Sequence, residues 1–171
     1  MLKDNIQEAF NQQINAEIYS AYLYMSMAAY FEGLQLAGFA HWLKIQAQEE
    51  MTHALRFYNF VHERGGRVTL TAIKAPETSW ESPLAALEAV LKHEQLVTSL
   101  INKLVALART ENDYASDNFL QWFVKEQVEE EASAGEVIGK LNLVNQTSGG
   151  MFMLDKDMAA RVFTMPLDLT I

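Results

Sequence analysis

The chain has 171 residues, half of them apolar, which is enough for one domain with a sizeable core. It holds no cysteine, which removes disulfides, thiolate metal sites and thiol nucleophiles together and fits a reducing cytoplasm, the expected location. A net charge of −9 argues against nucleic acid and toward cations as partners, and neither a membrane-spanning run nor a secretory signal is expected.

In chain order, residues 5–32 predict a first helix, stopped near Gly33, and residues 37–64 a second, stopped by Gly65-Gly66. Ser82 followed by Pro83 is the pairing of N-cap and first-turn proline, opening a third helix to about Arg109. Glu111-Asn112-Asp113 reads as a turn before a fourth helix from about Ala115 to Val144, and Gly149-Gly150 as a hinge before a short terminal helix over about 155–162. The short links predict two antiparallel hairpins. The 16-residue link from Arg67 to Ser82 is long enough, at about 53 Å extended, to run back along a helix. The expectation is therefore a single all-α domain over residues 1–171: a four-helix bundle at 5–144 with one long crossover between helices two and three, plus the terminal helix.

An apolar stripe at three- and four-residue spacing marks the core face of each helix. Helix one gives Phe10, Ile14, Glu17, Ala21, Tyr24, Ala28 and Phe31; helix two gives Phe39, Leu43, Gln46, Glu50, His53, Phe57 and Val61. Helix three gives Leu84, Leu87, Leu91, Glu94, Thr98, Ile101 and Val105; helix four gives Phe119, Phe123, Gln127, Glu130, Ala134, Val137 and Leu141. Each stripe is broken near its middle by one glutamate. Measured from the hairpin turns, Glu17 and Glu50 differ in height by about two residues, roughly 3 Å, and so do Glu94 and Glu130. Four carboxylates meeting in a dry core require protons or cations. Two divalent ions would neutralise them. His53, one turn after Glu50, adds an imidazole suited to iron, and Gln127, one turn before Glu130, can hydrogen-bond around the site.

These residues resemble the non-haem ferritins of bacteria and archaea. The resemblance runs from Asn15-Ala16-Glu17 through Gln48-Glu49-Glu50-Met51-Thr52-His53 and Trp80-Glu81-Ser82-Pro83 to Glu126-Gln127-Val128-Glu129-Glu130-Glu131 and Phe152-Met153-Leu154-Asp155-Lys156. It implies a ferritin-like fold and ferroxidase activity, in which Fe²⁺ is oxidised by O₂ or peroxide and stored as ferric oxo-hydroxide inside a shell of 24 subunits. One iron would lie on Glu17, Glu50 and His53 and a second on Glu50, Glu94 and Glu130, with Gln127 close by and Glu50 bridging. Tyr24 and Trp122 would sit beside the pair as redox-active neighbours or, equally, as an ordinary core tyrosine and tryptophan. The resemblance further implies a weaker third iron on Glu49, Glu126, Glu129 and Glu130, although an acidic run of that kind can equally be a solvated helix face. Asp113 and Asp117 are candidates for an acidic pore or, as turn residues, for helix caps.

The alternative is a haem-containing bacterioferritin, to which Met51 would contribute a haem ligand. That group resembles this chain less, because it would carry a second Glu-x-x-His on helix four where Gln127-x-x-Glu130 stands, and haem is not expected. A di-iron peroxidase of the rubrerythrin kind would need a Cys₄ module, and a purely structural bundle would leave the four coincident glutamates unexplained.

Overall fold

The computed structural model describes residues 2–144 and 149–165. Five helices follow one another: α1 (Asp4–Gly33), α2 (Ala37–Glu63), α3 (Pro83–Thr110), α4 (Tyr114–Val144) and α5 (Gly150–Met158). There is no strand among the described residues, and the architecture is an all-α four-helix bundle with a short C-terminal helix. At 1.5 Å per residue, the four long helices each span roughly 40–47 Å.

Local chemistry sets the helix ends. Ser82 Oγ accepts a hydrogen bond from the Ala85 amide at 3.1 Å, and Pro83 takes the first turn of α3. Asp113 Oδ1 does the same for α4, accepting from the Ser116 amide at 3.2 Å. The tight turns use Gln35 (φ 61°) between α1 and α2 and Asn112 (φ 55°) between α3 and α4. The start of α2 has no cap of its own. Asp155, from α5, supplies one across space: its Oδ1 accepts from the amides of Gly38 at 2.8 Å and Phe39 at 3.0 Å. This approach requires glycine, because a Cβ at position 38 would lie 1.6 Å from the Asp155 carbonyl oxygen.

The terminal helix runs over 150–158 rather than 155–162. Gly149 alone, at φ 78°, makes the turn, so helix resumes at Gly150; Asp155, taken from sequence as a helix start, caps α2 instead.

The long link behaves as the crossover reading requires. It lies along α1: Asn11 holds Arg67 and Thr69, Asn15 holds Thr71 and Ala72, and Ser26 Oγ donates to the Glu77 carbonyl. The chain leaves α2 near the start of α1, where the Leu2 amide donates to the Arg64 carbonyl. It enters α3 near the end of α1, where Trp80 packs edge-on against Tyr30. Helices α2 and α3 are therefore parallel.

Two apolar clusters fill the bundle. One is built on Tyr24, Phe31, Phe39, Leu43, Leu87 and Leu141, and the other on Phe10, Ile14, Phe57, Val61, Ile101 and Phe123. On α1 and α2 every stripe residue is buried. On α3 the core face turns by one position, so Val90 and Val97 are buried while Leu84, Leu91 and Thr98 are half-buried. On α4, Leu120 is buried and Phe119 stays half-buried, stacked on Phe60 with ring centroids 4.0 Å apart. A helical period of 3.6 residues cannot separate two adjacent apolar positions; the partner helix chooses.

Candidate metal centre

Between the two apolar clusters lies a polar layer. Each long helix sends a glutamate into it: Glu17 from α1, Glu50 from α2, Glu94 from α3 and Glu130 from α4, none more than 5% exposed. His53, one turn after Glu50, is also buried, and its Nδ1 lies 3.3 Å from Glu50 Oε2. Glu17, Glu50 and His53 bring ligand-capable atoms within 4.8 Å of one another, and so do His53, Glu126 and Glu130. His53 thus stands between two overlapping groups.

Dry surroundings and like charge dominate the electrostatics. Burial, followed by the charge of Glu50, pushes Glu17 up to about 8. Burial and then the charges of Glu94 and Glu130 hold Glu50 well above the ordinary carboxylate range. Glu94 rises to about 7, first from burial and then from Glu130, although hydrogen bonds from Tyr24 and Gln127 pull it down. Glu17 Oε2 and Glu50 Oε2 are buried with no hydrogen-bond partner. Buried polar atoms in folded proteins are nearly always paired, and here these oxygens have only each other's carboxyl and the His53 ring beside them, an arrangement that a cation would satisfy. Oxygen donors with one imidazole fit a divalent metal such as iron.

The remaining carboxylate oxygens are held by neighbours. Gln13 Nε2 donates to Glu17 Oε1 at 2.8 Å, and Gln46 Nε2 donates to Glu130 Oε2 at 2.7 Å. Gln127 Nε2 donates to Glu94 Oε2 at 3.2 Å, which makes it an orienting group for that carboxylate. Tyr24 OH donates to Glu94 Oε1. Burial, followed by the charges of Glu94 and Glu50, holds the Tyr24 phenol well above its ordinary range. Trp122 sits edge-on to His53 at 5.5 Å, with the Arg56 guanidinium 3.9 Å above its own ring. Gln13 and the role of Gln46 escaped the sequence reading. For Gln13 the spacing, four residues before Glu17, was the signal available; Gln46 reaches Glu130 on another helix, which no local spacing announces.

Comparison with known proteins shows the family. The family described as "Ferritin-like domain" matches residues 7–144. The chain belongs to the ferritin family. It is 41% identical over 161 residues to "Bacterial non-heme ferritin" of Bacteroides fragilis strain 638R, covering 94% of this chain and all of that one. A "Probable bacterial non-heme ferritin-like protein" of Haemophilus influenzae is 38% identical over 158 residues, 92% of this chain and 96% of its own. Among solved structures, an engineered closed form of Archaeoglobus fulgidus ferritin is 51% identical at a TM-score of 0.94, covering 96% of this chain and 100% of that one. The open-pore ferritin of the same archaeon is 51% identical at a TM-score of 0.92, covering 94% and 98%.

Outside the buried layer, this ferritin has a second acidic cleft of about 280 Å³, lined by Glu49, Glu126, Glu129, Glu130, Ser133 and Arg161. Three of the four expected carboxylates turn inward. Glu129 stays at the rim, exposed, 3.5 Å from Lys125. Burial raises Glu49 to about 7 against the opposing pull of Arg161, and burial likewise raises Glu126. Asp113 is spoken for: it caps α4 and receives both Arg64 Nη1 and Nη2 at 3.1 Å, so the capping reading holds for it rather than the pore reading. Asp117 pairs with Arg109 at 3.1 Å. Met51 is exposed on an apolar face shared with Tyr22, Met25 and Leu55.

Proposed function

We propose that this ferritin stores iron by binding two Fe²⁺ in the buried layer, oxidising them, and passing Fe³⁺ through the outer cleft into the cavity of a closed shell. Glu17, Glu50 and His53 would hold one ion, and Glu50, Glu94 and Glu130 the other, with Glu50 bridging. The observation that carries this reading is the pair of buried oxygens on Glu17 and Glu50 without a hydrogen-bond partner, in a layer that takes one buried carboxylate from each long helix and holds those of Glu17, Glu50 and Glu94 raised. Two Fe²⁺ give two electrons and O₂ takes two electrons and two protons to become H₂O₂, so no one-electron oxygen radical need leave the site. Carboxyl groups that are protonated in the empty layer lose those protons as the ions enter. Peroxide could serve as oxidant in the same way. Hydrogen bonds from Gln13, Gln46 and Gln127 keep the carboxylates oriented when the layer is empty.

The outer cleft supports a weaker third iron on Glu49, Glu126, Glu129 and Glu130, because it is wetter and Glu129 is exposed. We read residues 1–171 as one ferritin-like domain whose copies close into a 24-subunit shell. The support on this chain is an apolar groove of about 990 Å³ that includes Tyr22, Met25, Met51 and Leu55, a surface suited to a second copy. Among the described residues, no helix is long and apolar enough to cross a membrane, and the acidic chain offers nothing to nucleic acid. The cytoplasm is the proposed place of work. Anaerobic loading with Fe²⁺ followed by an oxygen pulse tests the chemistry: ferric absorbance should grow with a fast phase of two irons per subunit. Oxidation no faster than in protein-free buffer would overturn it.

A further inference from the structure

Among the described residues, Arg161 is the one cation lining the outer cleft. Its Nη2 lies 2.6 Å from Glu49 Oε2, a charge-assisted hydrogen bond with both side chains less than a quarter exposed. Its Nη1 is buried with no hydrogen-bond partner. The backbone beneath it is pinned, since the Arg161 carbonyl bonds to His41 Nε2 at 2.8 Å and α5 is locked to α2 through Asp155 and Gly38. The guanidinium also lies 5.0 Å from the centre of the Trp42 ring. Trp42 and Glu49 are seven residues apart, two turns along one face of α2, so the side chain is laid along that face with an aromatic resting place at one end and a carboxylate at the other.

We propose that Arg161 is a tethered cation that occupies the outer cleft when iron is absent and must release Glu49 before a third metal ion can bind there. This rests on reading the cleft as an iron site and adds the way its occupancy is controlled. An ion in the cleft needs the Glu49 carboxylate that Arg161 holds, and two cations cannot share so small a cleft without repulsion. With the backbone fixed, only the side chain has to move, and Trp42 remains within reach of the displaced guanidinium. When the ion departs into the cavity, the guanidinium returns. The cleft therefore passes ions on rather than keeping them, and resets itself.

Competition of this kind sets a measurable handicap. A charge-assisted hydrogen bond that must be broken weakens third-ion binding by about 10- to 100-fold. The test is calorimetric titration of the assembled apo protein with Zn²⁺, which cannot be oxidised, comparing wild type with R161M and R161K. R161M keeps a stem against Trp42 and loses the charge; R161K keeps the charge. We expect the two tight sites to be alike in all three proteins, the third to tighten about 10- to 100-fold in R161M, and R161K to stay near wild type. Circular dichroism in the near ultraviolet checks that Trp42 and the docked tail keep their places in R161M. E49Q/R161M should lose the gain. A third-site affinity unchanged in R161M overturns the gate while leaving the outer site standing. Two ions per subunit in every protein overturns the outer site and the gate with it, whereas loss of the two tight sites would count against the buried centre instead.

Discussion

Burial and then the like charges of Glu94, Glu130 and Glu49 all raise Glu50. Because it would bridge both ions, E50A should lower the initial rate of iron oxidation at least 100-fold, as read by stopped-flow ferric absorbance, with the helical circular dichroism unchanged. E50Q, which leaves no cavity, should raise the stability of the apo protein at pH 8 by roughly 1–3 kcal/mol, because it removes one member of a like-charged cluster. The pH dependence follows from the same groups. Glu17 at about 8 and Glu94 at about 7 lie above their unfolded values near 4.5, so between those limits the folded state binds protons that the unfolded state does not. The stability of the apo protein should therefore be greatest near pH 5 and fall as pH rises from about 5 through 8, with Glu50 prolonging the decline. Added Zn²⁺ should reverse the fall. Urea denaturation across that range, with and without Zn²⁺, gives the measurement.

At the scale of elements, the weak joint is the contact between α2 and α5. Gly38 allows the Asp155 backbone to touch α2, and Asp155 caps two amides there. G38A places a Cβ inside that contact, so α5 must move away, and Arg161 moves with it. Hydrogen exchange in α5 should become fast while α1 to α4 remain protected. D155A removes only the cap and should cost about 1 kcal/mol, or some 2–4 °C in Tm. If α5 stays protected in G38A, the docking described above does not hold the helix in place.

For the whole molecule, the exposed apolar face of α1 and α2 is too large to leave wet. Tyr22, Met25 and Leu55 are between 43% and 53% exposed, and all line the large groove. In a closed shell a second copy would cover them. M25R/L55R should therefore give folded subunits that sediment as monomers rather than as the proposed shell of 24, because two unpaired charges would have to be buried at each contact. A shell that survives this pair of charges would move the interface elsewhere.

Much of the fold was legible from sequence because helices of this length repeat their pattern many times, and because Gly33, Gly65-Gly66 and Ser82-Pro83 punctuate them. The polar layer was legible for a related reason. Glu17, Glu50, Glu94 and Glu130 interrupt stripes that are otherwise apolar, and helical rise fixes their heights. What sequence could not fix was anything depending on which of two neighbouring positions a partner helix selects: Val97 over Thr98, Leu120 over Phe119. Nor could it join residues far apart in the chain that meet only after folding. Asp155 became a cap for α2, Asp113 a cap clamped by Arg64, and Arg161 the counter-ion of Glu49, each across a separation that no local pattern spans. Periodicity is a property of one helix and is written along the chain; pairing between elements is decided by packing, and only the tertiary structure holds it.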